Sequence, residues 1–382
     1  MKELYYTLTE YERSAIDYDS FCTRLSQNNI VALKGANSPV LIGQGLGLRI
    51  NSSIGLNSPA SFPSEVAKLT AISNHTNRPH TMMDLSTTRI STPLYKEIQN
   101  SLGCPVGTIP YYICFDSQHG INDNELLEVI EEQAENGVAF MTLHLTANLD
   151  LAEKSLPRNI PIISRGGSLL LRDIRLNKRH ENVLFSNLEI IIKIFKKHNV
   201  AVSIGTTFRP STQYDALDAA HLSELNMQIE LSEYLRQHGL QVIMEGIGHI
   251  AFYRIPEYCS ILREKTYIPF MPLGPIVSDH TYGQDHITSS VGATYLASLG
   301  GADIINSVTR EEHTGGIPTV QSILEAIDAA STVVQIVNES RFPSYFCKGN
   351  IHYHNCLGTS ADVGCTRCND ECPFIWNEEN RI

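Results

Sequence analysis

The sequence lacks an excess of basic residues, a hydrophobic N-terminal segment and any apolar run long enough to cross a bilayer. Lysine and arginine number 29 against 41 aspartates and glutamates, a net charge of −12, which argues against a nucleic-acid or anionic-membrane partner. The N-terminus has no apolar region of the signal-peptide kind, and no run approaches the roughly 18 apolar residues that span a membrane. We therefore expect a cytoplasmic protein that binds neither nucleic acid nor membrane.

In that compartment the nine cysteines are expected to be reduced and to act as metal ligands or catalysts. Cys365, Cys368 and Cys372 form the pattern C-x2-C-x3-C close to the C-terminus. Thiolates so closely spaced converge on one centre, either zinc or an iron–sulfur cluster. A four-iron cluster would keep one iron open for a ligand, whereas a zinc site would be completed by Cys356. The tail alone leaves both interpretations open.

Short apolar runs alternate with amphipathic segments of helical length from about residue 62 onward. This alternation predicts an α/β fold, a (β/α)8 barrel, with an open doubly wound sheet as the alternative. We predict an N-terminal domain over residues 1–62, the barrel over 63–318 and a C-terminal helix with a metal-binding tail over 319–382. The eight predicted strands are His80–Leu85, Gly107–Ile113, Val138–Leu145, Ile160–Ser164, Val200–Gly205, Gln241–Gly246, Ile268–Leu273 and Asp303–Val308. The predicted helices are Asp123–Asn136, Asn187–His198, His221–His238, Pro256–Glu264, Ile287–Leu299 and Val320–Val337.

Ahead of the predicted barrel, residues 42–55 are rich in glycine. They do not match a dinucleotide-binding fingerprint, because no helix follows within a βαβ unit. We interpret them as a β-rich turn region or, alternatively, as a loop whose backbone approaches a ligand.

Polar side chains stand at the carboxyl end of almost every predicted strand, which is where barrel enzymes carry their chemistry. Glu245 and His249 share one loop, and Glu312-His313 follow the last strand; such pairs suit a divalent cation or a hydrogen-bonding network. Arg165 and Arg209, with the backbone amides of Gly166 and Gly167, could hold a phosphate. His286, beside Asp285, is a further candidate acid or base.

Eight ordered segments resemble the phosphomethylpyrimidine synthase family of thiamine biosynthesis. They are IGQGLGLRINSSIG, MMDLST, PVGTIPYYI, FMTLHLT, SRGGS, EGIGHI, LGPIVSDHTYGQDHITSSVGA and SVTREEHTGGIP. The resemblance implies a radical S-adenosylmethionine enzyme on a (β/α)8 barrel that rearranges 5-aminoimidazole ribonucleotide into 4-amino-5-hydroxymethyl-2-methylpyrimidine phosphate. It further implies an external electron donor and a homodimer in which the tail of one subunit covers the barrel mouth of the other.

Site residues follow from the same resemblance, position by position. Glu245 and, from its residue type alone, His286 are the candidate catalytic residues, and by the resemblance His249 with His313 would bind one divalent metal, zinc or iron. Cys365, Cys368 and Cys372 would hold a 4Fe–4S cluster that binds S-adenosylmethionine. The substrate-binding positions would be Ser53, Met83, Tyr112, His144, Ser164, Arg165, Gly166, Thr206, Arg209, Glu245 and Met271.

Several of these positions depart from the family pattern. Ser53 replaces an asparagine, Thr206 an aspartate and Met271 a tyrosine, and the cysteine motif is one residue shorter than the family's C-x2-C-x4-C. Two alternatives therefore stay beside the default product: a related enzyme that makes another heterocycle such as 5-hydroxybenzimidazole, a cobamide precursor, and a metal-dependent barrel hydrolase or lyase with a structural zinc tail.

Overall fold

The structure, a computed structural model, describes residues 1–346. It divides into a unit of residues 1–341 and a second unit that begins at Phe342; within the second unit only a short helix is described. The predicted cluster ligands Cys365, Cys368 and Cys372, together with Cys356, lie outside the described residues.

Twelve strands are present in this part of the chain, eight of them in one parallel sheet. In chain order they are β1 Ile30–Leu33, β2 Val40–Gly43, β3 Arg49–Ile54, β4 Thr81–Asp84, β5 Val106–Thr108, β6 Phe115–Asp116, β7 Gly120–Ile121, β8 Phe140–Leu143, β9 Ala201–Ile204, β10 Val242–His249, β11 Phe270–Ile276 and β12 Ile304–Asn306.

Fifteen α-helices are present in the described residues, and one or more of them follows most of the sheet strands. They are α1 Lys2–Tyr6, α2 Glu10–Ala15, α3 Tyr18–Ser26, α4 Phe62–Asn74, α5 Leu94–Leu102, α6 Asp123–Glu135, α7 Leu149–Ser155, α8 Arg165–Leu176, α9 Val183–Ser186, α10 Leu188–His198, α11 Ala219–Gln237, α12 Ile255–Lys265, α13 Asp285–Ser298, α14 Val320–Arg341 and α15 Pro343–Phe346.

The eight-stranded sheet curls into a barrel. Its order is β11-β10-β9-β8-β5-β4-β3-β12, with every pair parallel. The two end strands meet, since the Asp303 amide donates to the Phe270 carbonyl at 3.0 Å and the Asn306 side chain donates to the Pro272 carbonyl at 3.0 Å. The strands are buried on both faces, as parallel sheets covered by helices require. The predicted (β/α)8 barrel is confirmed.

One predicted strand is wrong. Residues 160–164 form a loop between α7 and α8, where Pro161 has no N–H to offer to a sheet ladder. The missing strand is β3, Arg49–Ile54, inside the glycine-rich stretch 42–55, for which the sequence favours a β-rich turn region or a loop whose backbone approaches a ligand. β3 pairs with β4 and β12. The barrel therefore takes its first strand from the range assigned to the N-terminal domain, and the domain division itself stays a prediction.

The N-terminal helices and the β1–β2 hairpin lie at the amino-terminal end of the barrel strands. The Asn28 side chain exchanges two hydrogen bonds with the backbone of Val242, at 3.0 and 3.2 Å. Glu12, fully buried, accepts from the Arg49 guanidinium at 2.5 Å. These contacts fix the segment at the amino-terminal end of the strands, so within residues 1–346 it leaves the carboxyl end uncovered.

Helix α14 is long and apolar enough to cross a membrane by length and composition alone. Its buried side chains, including Ile323, Ile327 and Val333, belong to the hydrophobic core of the barrel unit. The helix therefore has the character of a core helix.

Candidate active site

A cavity of about 400 Å³ opens at the carboxyl ends of the barrel strands. Its lining contains most of the side chains that the sequence predicted as site residues, brought there by separate strands and loops. They are Ser53, Met83, Tyr112, His144, Ser164, Arg165, Arg209, Glu245, His249, Met271 and His313.

Ser164 and Arg165 begin helix α8 at one side of this cavity. The Ser164 hydroxyl oxygen accepts the Gly167 amide at 3.1 Å, which caps the helix. The Arg165 guanidinium carbon lies 5.8 Å from the centre of the Tyr112 ring. A helix N-terminus beside an arginine attracts an anion. Both residues line the cavity although residues 160–164, predicted as a strand, form a loop.

His144 lies at the base of the cavity, tightly enclosed. Its Nδ1 is 2.7 Å from the Tyr111 hydroxyl. Burial, and secondarily the Arg209 charge, lowers the pKa of His144 to about 3, so the imidazole is neutral. Glycines permit this enclosure: a Cβ on Gly166 would lie 2.6 Å from His144 Cε1, and one on Gly205 would lie 2.5 Å from its Nδ1. Gly166, predicted to bind substrate, therefore makes room for the neighbouring histidine.

Glu245 projects from β10 with one carboxylate oxygen already bonded. Its Oε1 accepts the hydroxyls of Thr142 at 2.7 Å and Ser203 at 2.8 Å. Burial raises the pKa of Glu245, and the two hydroxyls and the Arg209 charge oppose that rise. A carboxyl group with a raised pKa in a cavity is suited to proton transfer or to binding a polar substrate group.

His249 and His313 face each other across the cavity rim. Their Nε2 atoms are 3.1 Å apart. Asp279 Oδ1 lies 2.7 Å from Nδ1 of His249, and Asp285 Oδ1 lies 3.1 Å from Nδ1 of His313.

The donor set fits a divalent metal. If each ring donates its Nδ1 proton to an aspartate, both Nε2 lone pairs point at one spot and repel unless a cation lies between them. A zinc–nitrogen bond of about 2.0–2.1 Å lets one ion contact both atoms. The histidine pair was found from the sequence, but Asp279 was missed; its only signal is its position within the motif that precedes helix α13. Carboxylates of this kind orient metal-binding histidines.

Three predicted residues of the described part of the chain do not line this cavity: Gly166, Thr206 and His286. Thr206 is buried, and its hydroxyl donates to Glu224 Oε2 at 2.7 Å. His286 lies in the first turn of α13, and its buried Nδ1 has no hydrogen-bond partner among the described residues. Their predicted roles in substrate binding and catalysis stay predictions. Glu224, which sequence reasoning missed, has no motif that marks it.

Fold and cavity together define a (β/α)8-barrel protein with a polar small-molecule site and a paired-histidine site at the strand carboxyl ends. A family model described as the radical SAM ThiC family matches residues 8–343. The chain belongs to this family, which is an enzyme family and a radical S-adenosylmethionine family. Membership implies S-adenosylmethionine and a 4Fe–4S cluster.

Curated relatives agree with the family model. A phosphomethylpyrimidine synthase from Methanocaldococcus jannaschii is 33% identical, with 86% of this chain and 80% of that protein covered. Proteins of the same name from Saccharolobus islandicus and Methanopyrus kandleri are each 30% identical; the alignments cover 92% and 89% of this chain and 89% and 82% of those proteins. A solved dihydropteroate synthase from Xanthomonas albilineans aligns at 12% identity and a TM-score of 0.44, over 79% of this chain and 97% of that one.

Proposed function

We propose that this protein converts 5-aminoimidazole ribonucleotide into 4-amino-5-hydroxymethyl-2-methylpyrimidine phosphate by radical S-adenosylmethionine chemistry. The observation that carries the proposal is the single cavity that collects Arg165, Arg209, His144 and Glu245 beside the His249–His313 pair. Membership of the family and the shared name of the curated relatives support the same reaction.

The phosphate end of the substrate would lie at the start of helix α8. Arg165 lines the cavity there, and the positive end of the helix dipole would favour a bound anion. Arg209 supplies a second positive charge from the loop after β9. Two guanidinium groups and a helix N-terminus suit a phosphate monoester.

The imidazole and ribose would then lie toward Glu245 and His144. Glu245 has an oxygen beyond the two bonds to Thr142 and Ser203, which can accept a substrate N–H or O–H or exchange a proton with it. His144 is neutral, and with Nδ1 accepting from Tyr111 its Nε2–H would donate to the substrate. Apolar Met83 and Met271 complete the lining and exclude water.

His249 and His313 would hold one divalent ion, zinc or iron, and Cys365, Cys368 and Cys372 would hold the 4Fe–4S cluster. When bound, the cluster and S-adenosylmethionine supply the one-electron chemistry that abstracts hydrogen from the ribose. The barrel residues bind the substrate, orient it and keep water away. An external electron donor, a homodimer with tail exchange and a cytoplasmic location belong to this proposal.

The departures from the family pattern do not change the proposed product. A threonine stands where the family has an aspartate, so the cavity lacks a carboxylate at position 206. The Thr206 hydroxyl donates to Glu224 instead. Ser53 and Met271 still line the cavity. The family assignment and the names of the relatives do not favour 5-hydroxybenzimidazole synthesis or a metal-dependent hydrolase or lyase.

The substrate class can be tested with the full chain, reconstituted anaerobically with iron, sulfide and a reductant. 5′-Deoxyadenosine should accumulate with 5-aminoimidazole ribonucleotide and stay at background with the dephosphorylated nucleoside, because the nucleoside leaves Arg165 and Arg209 without a phosphate. Equal accumulation with both compounds would contradict the phosphate assignment. No 5′-deoxyadenosine with either compound in a cluster-loaded sample would contradict the proposed reaction.

A further inference from the structure

The carboxylate of Glu224, on helix α11, is buried, with 1% of the residue exposed. It accepts four hydrogen bonds. Oε1 accepts the Thr146 hydroxyl and the Thr207 amide, both at 2.6 Å, and Oε2 accepts the Thr206 hydroxyl at 2.7 Å and the Phe208 amide at 2.8 Å. Three of the four donors belong to the segment that directly precedes Arg209.

Arg158 holds the same segment by its carbonyls. Its Nη1 donates to the carbonyl oxygens of Phe208 at 2.9 Å and Arg209 at 3.3 Å. The rest of its guanidinium is paired with Asp218 at 2.7 and 2.8 Å. Buried charges are therefore bonded to both the amides and the carbonyls of this loop, and its backbone has little freedom to change direction.

Arg209 is the first residue after this fixed segment whose side chain lines the cavity. The guanidinium contributes a charge to the surroundings of Tyr112, His144 and Glu245, three other residues of the lining. Within the described residues its guanidinium makes a single hydrogen bond, a long one of 3.5 Å to the Thr206 carbonyl. The direction of the side chain is thus set mainly by the loop beneath it.

We propose that Glu224 is a positioning residue for substrate binding: its carboxylate fixes residues 206–208 so that Arg209 projects toward the phosphate of the substrate. The inference rests on the proposed function for the identity of that phosphate. It goes beyond that function by assigning a role to a residue that does not line the cavity. A carboxylate is required because its two oxygens only accept, and four donors converge on them.

The decisive variant is Glu224→Gln, which keeps the size of the side chain and replaces one acceptor oxygen by a donor. Glu12→Gln is a matched control. Glu12 is also fully buried and accepts two backbone amides, Thr9 and Gly47, a hydroxyl and the Arg49 guanidinium, but it lies at the opposite end of the barrel strands.

Affinity is measured by calorimetry with 5-aminoimidazole ribonucleotide on the reconstituted full chain. Glu224→Gln should weaken binding by about ten- to a hundredfold, the usual effect of disturbing buried charge-assisted hydrogen bonds. Glu12→Gln should leave the affinity within about twofold of the parent. In an Arg209→Met background, Glu224→Gln should lower the affinity by less than about threefold, because the arginine that Glu224 positions is absent.

An equal loss in the parent and Arg209→Met backgrounds would overturn the proposal, since Glu224 would then act on something other than Arg209. Thr206→Val removes one of the four donors with little change of shape, and should weaken binding in the same direction by a smaller factor. It serves as the test if Glu224→Gln does not fold. A Thr206→Val protein with parental affinity would then contradict the proposal.

Hydrogen exchange of the ligand-free protein separates this inference from the proposed function. Glu224→Gln should speed the exchange of the Thr207 and Phe208 amides, and Glu12→Gln should not. If the parent protein fails to bind 5-aminoimidazole ribonucleotide, the proposed function fails, whereas the exchange result still decides whether Glu224 holds the loop. Unchanged exchange in Glu224→Gln would overturn the inference.

Discussion

The Nε2 atoms of His249 and His313 lie 3.1 Å apart, while the other nitrogen of each ring is held by an aspartate. Such an approach of two acceptor atoms is stable only with a cation or a proton between them. We predict that His249→Ala or His313→Ala abolishes stoichiometric binding of a divalent ion at this site. Elemental analysis of the purified protein, with the tail cysteines replaced by serine to remove cluster iron, checks it. His119→Ala, an exposed histidine away from the cavity, should retain the metal content of its parent.

Asp279 should set the strength of that metal site without being a ligand. Its Oδ1 faces His249 Nδ1 at 2.7 Å, and its Oδ2 accepts the Gln213 amide at 2.8 Å, so both the carboxylate and the histidine ring are fixed. Asp279→Asn should lower metal affinity by about 10- to 100-fold, the usual effect of removing such a carboxylate. Competition with a chelator of known affinity measures it. Unchanged affinity would show that the ring is oriented by other contacts.

Arg165 should contribute to phosphate binding and little else. Arg165 is the first residue of helix α8, and its guanidinium lies over the Tyr112 ring. Arg165→Met therefore keeps an apolar side chain at this position and removes the charge. We expect the dissociation constant for 5-aminoimidazole ribonucleotide to rise about 10- to 100-fold. The constant for the nucleoside without phosphate should change by less than about threefold. Equal losses for both compounds would contradict a phosphate-specific role.

Gly205 should resist substitution because of its contact with His144. A Cβ there would lie 2.5 Å from His144 Nδ1 and 2.6 Å from its Cε1. Gly205→Ala must displace the imidazole or the strand end, and should lower the free energy of unfolding by about 1–3 kcal/mol. Gly316 lies on an exposed loop, and the atom nearest to a Cβ there would be 3.2 Å away. Gly316→Ala should lower the free energy of unfolding by less than about 0.5 kcal/mol. Denaturant unfolding of the two variants compares them.

His80 should make the protein sensitive to acid. Its Nδ1 accepts the Ile50 amide at 3.0 Å, and burial, with a smaller contribution from the Arg49 charge, lowers the pKa of His80 from 6.5 to about 3. Between those values the unfolded chain binds a proton that the folded protein excludes. The contribution of neutral His80 to the free energy of unfolding is therefore complete above about pH 6.5, and it is lost as the pH falls toward 3.

His80→Asn keeps an acceptor near the Nδ1 position but does not titrate. Between pH 8 and pH 5 the parent should lose about 1–2 kcal/mol more stability than the variant. Urea unfolding at the two pH values measures the difference. Parallel losses in the two proteins would contradict the assignment.

Local patterns in the sequence predicted most of the barrel, and they failed where a strand lacked its usual composition. Arg49–Ile54 contains Asn51, Ser52 and Ser53 and follows a run of glycines, so it did not resemble a buried strand; its polar side chains are satisfied inside the barrel, as in the Thr81–Asn51 bond of 2.8 Å. Residues 160–164 have the apolar composition of a strand but include a proline.

Residues that lie in recognisable sequence segments and line the cavity were predicted more completely than the residues that hold them in place by hydrogen bonds. His249, His313, Arg165 and Glu245 belong to recognisable segments, and the cavity collects all four. Glu224 and Asp279 act through hydrogen bonds to other residues. Those partners become neighbours only when the barrel closes, so sequence spacing does not reveal the contacts, even for Asp279 inside a recognisable segment.

The product formed from isotopically labelled 5-aminoimidazole ribonucleotide, identified by mass spectrometry after anaerobic turnover, tests the central claim most directly. The cluster-loaded protein should release labelled 4-amino-5-hydroxymethyl-2-methylpyrimidine phosphate together with 5′-deoxyadenosine, and Glu245→Gln should reduce both. Labelled product of another mass, such as that of 5-hydroxybenzimidazole, or deoxyadenosine formation without a labelled pyrimidine would contradict the proposed function.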